Sequence, residues 1–383
     1  MASHDSFLTA LLQAFPDEVH LVALFSDDGL GFDETKTLRV FLPDFHWMSR
    51  VCLQRYTGGY QFNGNRLLKD GTPAFHALLR ILETVKAAEE PLEVYQLGDR
   101  FDLWREMTHA DPDVGVAFAR LRNDPDVQGL ADRLDALDAK YVRGNHDAWL
   151  AEVEKDPNIR PSAKKLTTAS DNIFLTHGHV YDIIEAVLPD AVKAELVGIC
   201  PKIKPGTHPT GPFAQTTMKK LNGYLTLREK LKYPPDFPPP SVTADGARLI
   251  RQAADIEAIR NQCTTYLDVR RFLHGQGNLN DFEHASYLTF GDKIFVTEQN
   301  HPTDHRVYVI GHTHHARILV DRVPDDRFPG GRLLVTMDCG GWIENCTVYN
   351  EKTRNALIAR SAQVGVQCGN DLRIYQLGGV LTA

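Results

Sequence analysis

The chain has no apolar stretch approaching the ~20 residues that cross a bilayer, so no membrane span is expected. Met1 to Phe15 has neither a basic start nor a long apolar run, so no secretory signal is expected there. Cysteines are sparse: the six, Cys52, Cys200, Cys263, Cys339, Cys346 and Cys368, form no CxxC pair and keep no regular spacing. This usage reads as buried free thiols in a reducing compartment, and a cytoplasmic location is expected. Positive charge is also short. There are 42 Lys and Arg against 50 Asp and Glu, a net charge of −8. Such a balance argues against an extended nucleic-acid partner, although a small basic pocket is compatible with it. No internal repeat or low-complexity tract stands out.

What is present is ordinary for a folded protein, with 43% hydrophobic and 24% charged residues. A length of 383 residues fits one large α/β core with insertions or two domains. Apolar runs at Leu38–Leu42, Val94–Leu97, Lys140–Arg143, Ile173–Thr176 and Val307–Ile310 read as strands. A helix is expected from Thr72 with Pro73 at its first position; Phe75, Leu78, Leu79, Leu82 and Val85 share one face. Leu130, Leu134 and Leu137 mark another helix. This strand–helix–strand order implies a layered α/β core. Further strands are expected at Leu333–Met337, Cys346–Tyr349 and Leu372–Leu377.

The pattern changes after about Ala186. Helices are expected over Ala191–Val197 and Thr216–Leu231, and a helical stripe runs from Leu249 to Leu267. The proline-rich Tyr233–Pro240 reads as a stiff connector or a polyproline ligand. The organisation expected is therefore a core over 1–186, a mostly helical insertion over 187–300, and a strand-rich completion of the core over 301–383.

Five motifs carry the chemistry: Asp44-Phe-His46, Gly98-Asp99-Arg-Phe-Asp102, Gly144-Asn145-His146-Asp147, His177-Gly-His179 and Gly311-His312-Thr-His314. Four follow an apolar run directly, and Asp44 follows one across Pro43. In open α/β sheets, ligands bind beyond the carboxyl ends of strands, so tips far apart in sequence can converge. Imidazoles, an amide oxygen and carboxylates suit Mn, Fe, Zn or Ni. The absence of cysteine from the set argues against a structural zinc. Glycines beside the polar residues permit close approach of the backbone.

In this order, the motifs resemble the calcineurin-like metallophosphoesterase superfamily, over about Leu38 to Trp342 with the insertion unmatched. Met337-Asp-Cys-Gly-Gly-Trp342 is similar to the strand and turn that follow the last motif in many members. The resemblance implies a four-layer αββα sandwich with a helical cap insertion. It also implies two transition-metal ions. Asp44, His46 and His314 would hold one ion, Asn145, His177 and His312 the other, and Asp99 would bridge them. A metal-bridging hydroxide would then attack phosphorus in a small phosphate ester, with a diester favoured. His146 would hydrogen-bond a phosphoryl oxygen or protonate the leaving group, and Asp147 would orient it.

A phosphomonoesterase remains open, as does a nucleotide-sugar pyrophosphohydrolase. GDxFDxW around Asp99–Trp104 is similar to the UDP-diacylglucosamine pyrophosphohydrolase branch, which usually has Arg where this chain has His146. A nuclease would need a basic groove. A non-catalytic scaffold would show lost ligands, whereas all seven are here. Asp102 is expected to make a supporting hydrogen bond, and His179 to touch substrate or a ligand. Arg100, Arg105 and Arg143 serve as phosphate contacts or surface ion pairs. Phe45, Trp47, Tyr56, Tyr60 and Phe62 read as loop packing or as a stacking surface. Lys202, Lys204, Lys219 and Lys220 form a solvated face or a lid over an anionic substrate. Nothing in the chain indicates an oligomeric state.

Overall fold

Five strands that point the same way set the architecture, and each ends on a polar motif. The computed structural model describes residues 2–30, 37–55, 60–103, 106, 114–142, 144, 146–147, 173–175, 177–178, 287–290, 293–296, 307–312, 314, 316–323, 331–350 and 355–378. Its helices are α1 (Ala2–Ala14), α2 (Arg50–Arg55), α3 (Ala74–Ala87), α4 (Val114–Arg122) and α5 (Pro125–Ala136). The strands in the first half are β1 (Val19–Ser26), β2 (Leu38–Leu42), β3 (Tyr60–Phe62), β4 (Leu92–Gln96), β5 (Lys140–Tyr141) and β6 (Ile173–Leu175). Later come β7 (Tyr287–Phe290), β8 (Lys293–Val296), β9 (Val307–Ile310), β10 (Arg317–Val323) and β11 (Arg332–Asp338). The last are β12 (Ile343–Asn350), β13 (Asn355–Arg360), β14 (Gln363–Cys368) and β15 (Asp371–Leu377).

The fold is mixed α/β, built on two mixed sheets. The first has six strands in the order β1-β15-β14-β2-β4-β5, with β2, β4 and β5 parallel. The second has the order β10-β11-β9-β6, with β11, β9 and β6 parallel and β10 antiparallel. The C-terminal β14 and β15 lie between β1 and β2, so both ends of the chain build one sheet. A third sheet has the order β13-β12-β3.

Side-chain alternation separates two cores. Leu38, Val40 and Leu42 on β2, with Val364 and Val366 on β14, pack beneath α1, α3, α4 and α5. Phe41, Tyr95 and Leu97 face the other way, onto Ile173, Leu175, Val307, Val309, Val335 and Met337 of the second sheet. Three layers result: helices, sheet, sheet. Each fully buried Leu, Val, Ile or Phe contributes about 1.5–3 kcal/mol by leaving water.

The helix expected from Thr72 begins at Ala74, with Pro73 as its N-cap residue. All five of its predicted apolar residues are buried. Pro73 is extended (φ −62, ψ 134), so its fixed φ leads into the helix from just outside it. Within 187–300 the described residues form the antiparallel hairpin β7–β8. The helices expected over 191–197, 216–231 and 249–267, the segment 233–240 and the four lysines lie outside the described residues. Among the described residues, no helix is long and apolar enough to cross a membrane. Cys52 and Cys339 are buried free thiols, and Cys368 is a half-buried one.

Candidate metal centre

The parallel strands bring the motifs to one edge. Asp44 and His46 follow β2, Asp99 follows β4, and His146 follows β5. From the second sheet, His177 follows β6, and His312 and His314 follow β9. Backbone hydrogen bonds fasten the edge: Trp342 N donates to Asp44 O (2.8 Å), Gly311 N to His177 O (3.2 Å), and His46 N to Asp99 O (2.8 Å).

Three groups of donor atoms result, Asp44/His46/His314, Asp99/His177/His312 and His46/Asp102/His146, all buried. In the first, His314 Nε2 lies 2.9 Å from Asp44 Oδ2, and His46 Nε2 lies 3.2 Å from His314 Nε2. In the second, His177 Nε2 lies 3.2 Å from Asp99 Oδ2 and 3.3 Å from His312 Nδ1. Asp99 Oδ2 is also 3.7 Å from His46 Nε2, so this carboxylate stands between the clusters.

These separations fit a cation. Donors bound to one ion at ~2.1 Å lie ~3.0–3.4 Å apart. The chemistry of the donors fits as well. Two ring nitrogens 3.2 Å apart cannot both carry a hydrogen between them, whereas both can offer lone pairs to an ion. His177 is already turned for this role: its Nδ1 donates to Leu97 O at 2.8 Å, leaving Nε2 facing Asp99.

The backbone is contorted to bring these groups together. His46, Asp99, His312 and His314 have φ of 51°, 49°, 70° and 62°, in the left-handed region. Asp and His enter it more readily than most residues, yet each such residue costs about 1 kcal/mol or more. Glycines supply the close approaches. A Cβ on Gly311 would strike Asp44 Oδ1, and one on Gly144 would strike the amide and Oδ1 of Asp99. Gln96, which the sequence did not single out, braces the Gly98 turn: its side chain donates to Gly98 O (2.7 Å) and accepts from Gly98 N (3.1 Å).

Charge is distributed unevenly across the site. Burial alone would lower the His177 pKa, but the Asp99 and Asp44 carboxylates outweigh it and raise the value to about 9. Burial would raise Asp99, but the neighbouring imidazoles, His177 foremost, hold it well below the usual carboxylate range. For His146, burial prevails over Asp102 and Asp99 and lowers the pKa to about 3. Burial, aided by the Asp99 charge, pushes Asp147 well above the ordinary range.

The contact expected between Asp147 and His146 falls to Asp102. His146 Nδ1 lies 3.0 Å from Asp102 Oδ1. Asp147 instead accepts two backbone amides, Gly144 N (2.8 Å) and Arg100 N (2.9 Å). It is a clasp between two motif loops.

Arg100 is buried against the rings of Phe101, Trp47 and Tyr141 (5.2, 5.5 and 5.8 Å), with Asp135 at 3.8 Å. The guanidinium is therefore buried rather than part of a surface ion pair. Phe45, Trp47 and Phe62 are packing: Phe45 stacks on Trp47 (4.9 Å) and meets Phe75 (4.9 Å) and Phe62 (5.8 Å) edge-on. Asn145, His179, Arg105, Arg143, Trp104 and Tyr56 lie outside the described residues. No protein-family model and no curated protein matches the chain.

Proposed function

We propose that the chain is a dinuclear metallophosphoesterase of the calcineurin-like superfamily, a four-layer sandwich with a cap, that hydrolyses phosphate esters and prefers diesters. One observation carries the reading. Two buried His/Asp clusters flank a shared carboxylate, Asp99, at the carboxyl ends of parallel strands from two stacked sheets.

Asp44, His46 and His314 would hold one ion, and His177 and His312, with Asn145, the other; Asp99 would touch both. Ions there supply positive charge for phosphoryl oxygens and acidify water. The remaining chemistry belongs to the chain. Leu97 O fixes the His177 ring, the Gly98 backbone leaves room for that ring, and the Gly144 and Gly311 backbones leave room for the carboxylates of Asp99 and Asp44.

His146 stands beside His46, ring to ring at 4.6 Å. A carboxylate only accepts, so His146 donates its Nδ1–H to Asp102 and its Nε2 carries a lone pair. The ring is neutral until an anion arrives. A phosphate oxygen nearby favours the imidazolium, whose Nε2–H then donates to that oxygen or to the departing alkoxide.

Hydrolysis of bis-aryl and mono-aryl phosphates by Mn²⁺-supplemented protein tests the reading. Release of the aryl alcohol, faster from the diester, is expected. No release from either ester by metal-loaded protein would overturn it.

A further inference from the structure

We propose that Asp102 is a shared positioning residue, one carboxylate that sets the tautomer of a metal ligand, His46, as well as that of His146. The inference rests on the dinuclear reading and adds a coupling within it.

Each oxygen of Asp102 serves one ring. Oδ1 lies 3.0 Å from His146 Nδ1, and Oδ2 lies 3.4 Å from His46 Nδ1. The rings stand nearly perpendicular, at 84°. Asp102 is fully buried, and His46 and His146 are 1% and 4% exposed, so water does not substitute for these contacts. Because a carboxylate accepts, His146 presents Nδ1–H to it, and the same negative charge, 3.4 Å from His46 Nδ1, favours Nδ1–H on that ring as well. That leaves the His46 Nε2 lone pair facing Asp44 and His314, where a cation would sit.

Asp102 is fixed by the loops that carry it. Its amide donates to Trp47 O (2.9 Å), next to His46, and its carbonyl accepts from Glu106 N (3.0 Å). Glu106 in turn holds the Ser49 hydroxyl (3.0 Å). The Asp102 main chain is thereby tied to the loop that carries His46.

An asparagine could not replace it. Its one acceptor oxygen can satisfy one ring, while its NH₂ would face the other. A ring facing that NH₂ must move its hydrogen to Nε2. If the ring is His46, the ligand lone pair is lost; if it is His146, the Nε2 chemistry is inverted.

The test is calorimetric titration of the ion-free full chain with Mn²⁺, for the parent, Asp102→Asn and His146→Ala. The parent is expected to bind two ions. Asp102→Asn should bind one of them about 10–100-fold more weakly and the other within about threefold, as for the loss of a ligand's hydrogen-bond partner. His146→Ala should keep both affinities. Unchanged affinities in Asp102→Asn with both rings still protonated at Nδ1 in nitrogen-15 spectra, or an equal fall at both sites, would overturn the shared role; a parent that binds no Mn²⁺ would overturn the dinuclear reading itself. A second measurement needs no variant. Nitrogen-15 spectra of the ion-free parent should show His46 protonated at Nδ1, and protonation at Nε2 alone would contradict the proposal.

Discussion

The amide of His312 donates to both carboxylate oxygens of Asp44, at 3.2 and 3.1 Å, across 268 residues of chain. Asp44 ends a strand of the first sheet and His312 a strand of the second. The carboxylate is thus a joint between sheets as well as a candidate ligand. Asp44→Ala leaves a buried amide without its acceptor and should lower unfolding free energy by about 1–3 kcal/mol. Asp44→Asn keeps one acceptor oxygen and should cost less. Both variants should lose the ion at the Asp44–His46–His314 cluster. Denaturant unfolding beside elemental analysis separates the two effects.

Glycine substitutions should weaken ion binding without removing a donor. A Cβ on Gly311 or Gly144 collides with the carboxylates of Asp44 and Asp99, respectively. Gly311→Ala and Gly144→Ala should each bind ions more weakly and turn over more slowly. Gly129, within α5, has nothing within 4 Å of an added Cβ. Gly129→Ala should stabilise the helix by about 0.5–1 kcal/mol and leave ion affinity alone. Equal behaviour of all three in metal titrations would refute the crowding.

Much of this site was legible because strand and ligand are neighbours in the sequence. The apolar run Leu38–Leu42 announces β2, and Asp44 and His46 follow it at once. Asp102 was harder to place. A supporting hydrogen bond is expected of it and is present, but the resemblance gives the His146 partner to Asp147, whereas contact across 44 residues gives it to Asp102. Leu97 O, which orients His177, has no side-chain signature at all. In the fold, β1 was legible in principle: Leu21–Phe25 is an apolar run, although the strand lies at the sheet edge and its residues are half-buried or exposed. Helix α1 was legible in principle: Phe7, Leu11 and Phe15 recur at helical spacing and are fully buried.

Ion loading should depend on pH through His177. Its ion-free pKa is about 9, so an ion must displace a proton at neutral pH. For one displaced proton, apparent affinity should fall about tenfold for each unit below that value. Stability runs by the same linkage. The raised His177 pKa stabilises the ion-free fold fully below about 6.5, and this contribution is lost as pH rises through about 9. His146 acts oppositely: its contribution is present above about 6.5 and is lost as pH falls toward about 3. Thermal denaturation across this range, with chelator and with Mn²⁺, checks the signs. The alkaline loss due to His177 should vanish when the ion is bound.

Phe45 and its ring neighbours should matter to stability rather than to substrate. Phe45→Leu removes contacts with Trp47, Phe62 and Phe75 and should cost about 1–3 kcal/mol. KM for an aryl phosphodiester should stay within about twofold of the parent, because these rings do not stack on substrate. A large rise in KM with unchanged stability would return them to the binding surface.

The central claim is that Asp99 joins two metal sites, and metal content tests it most directly. Elemental analysis after Mn²⁺ reconstitution and desalting should find two ions per chain in the parent and a loss from both sites in Asp99→Ala. A parent chain with no bound or restorable transition metal would contradict the account.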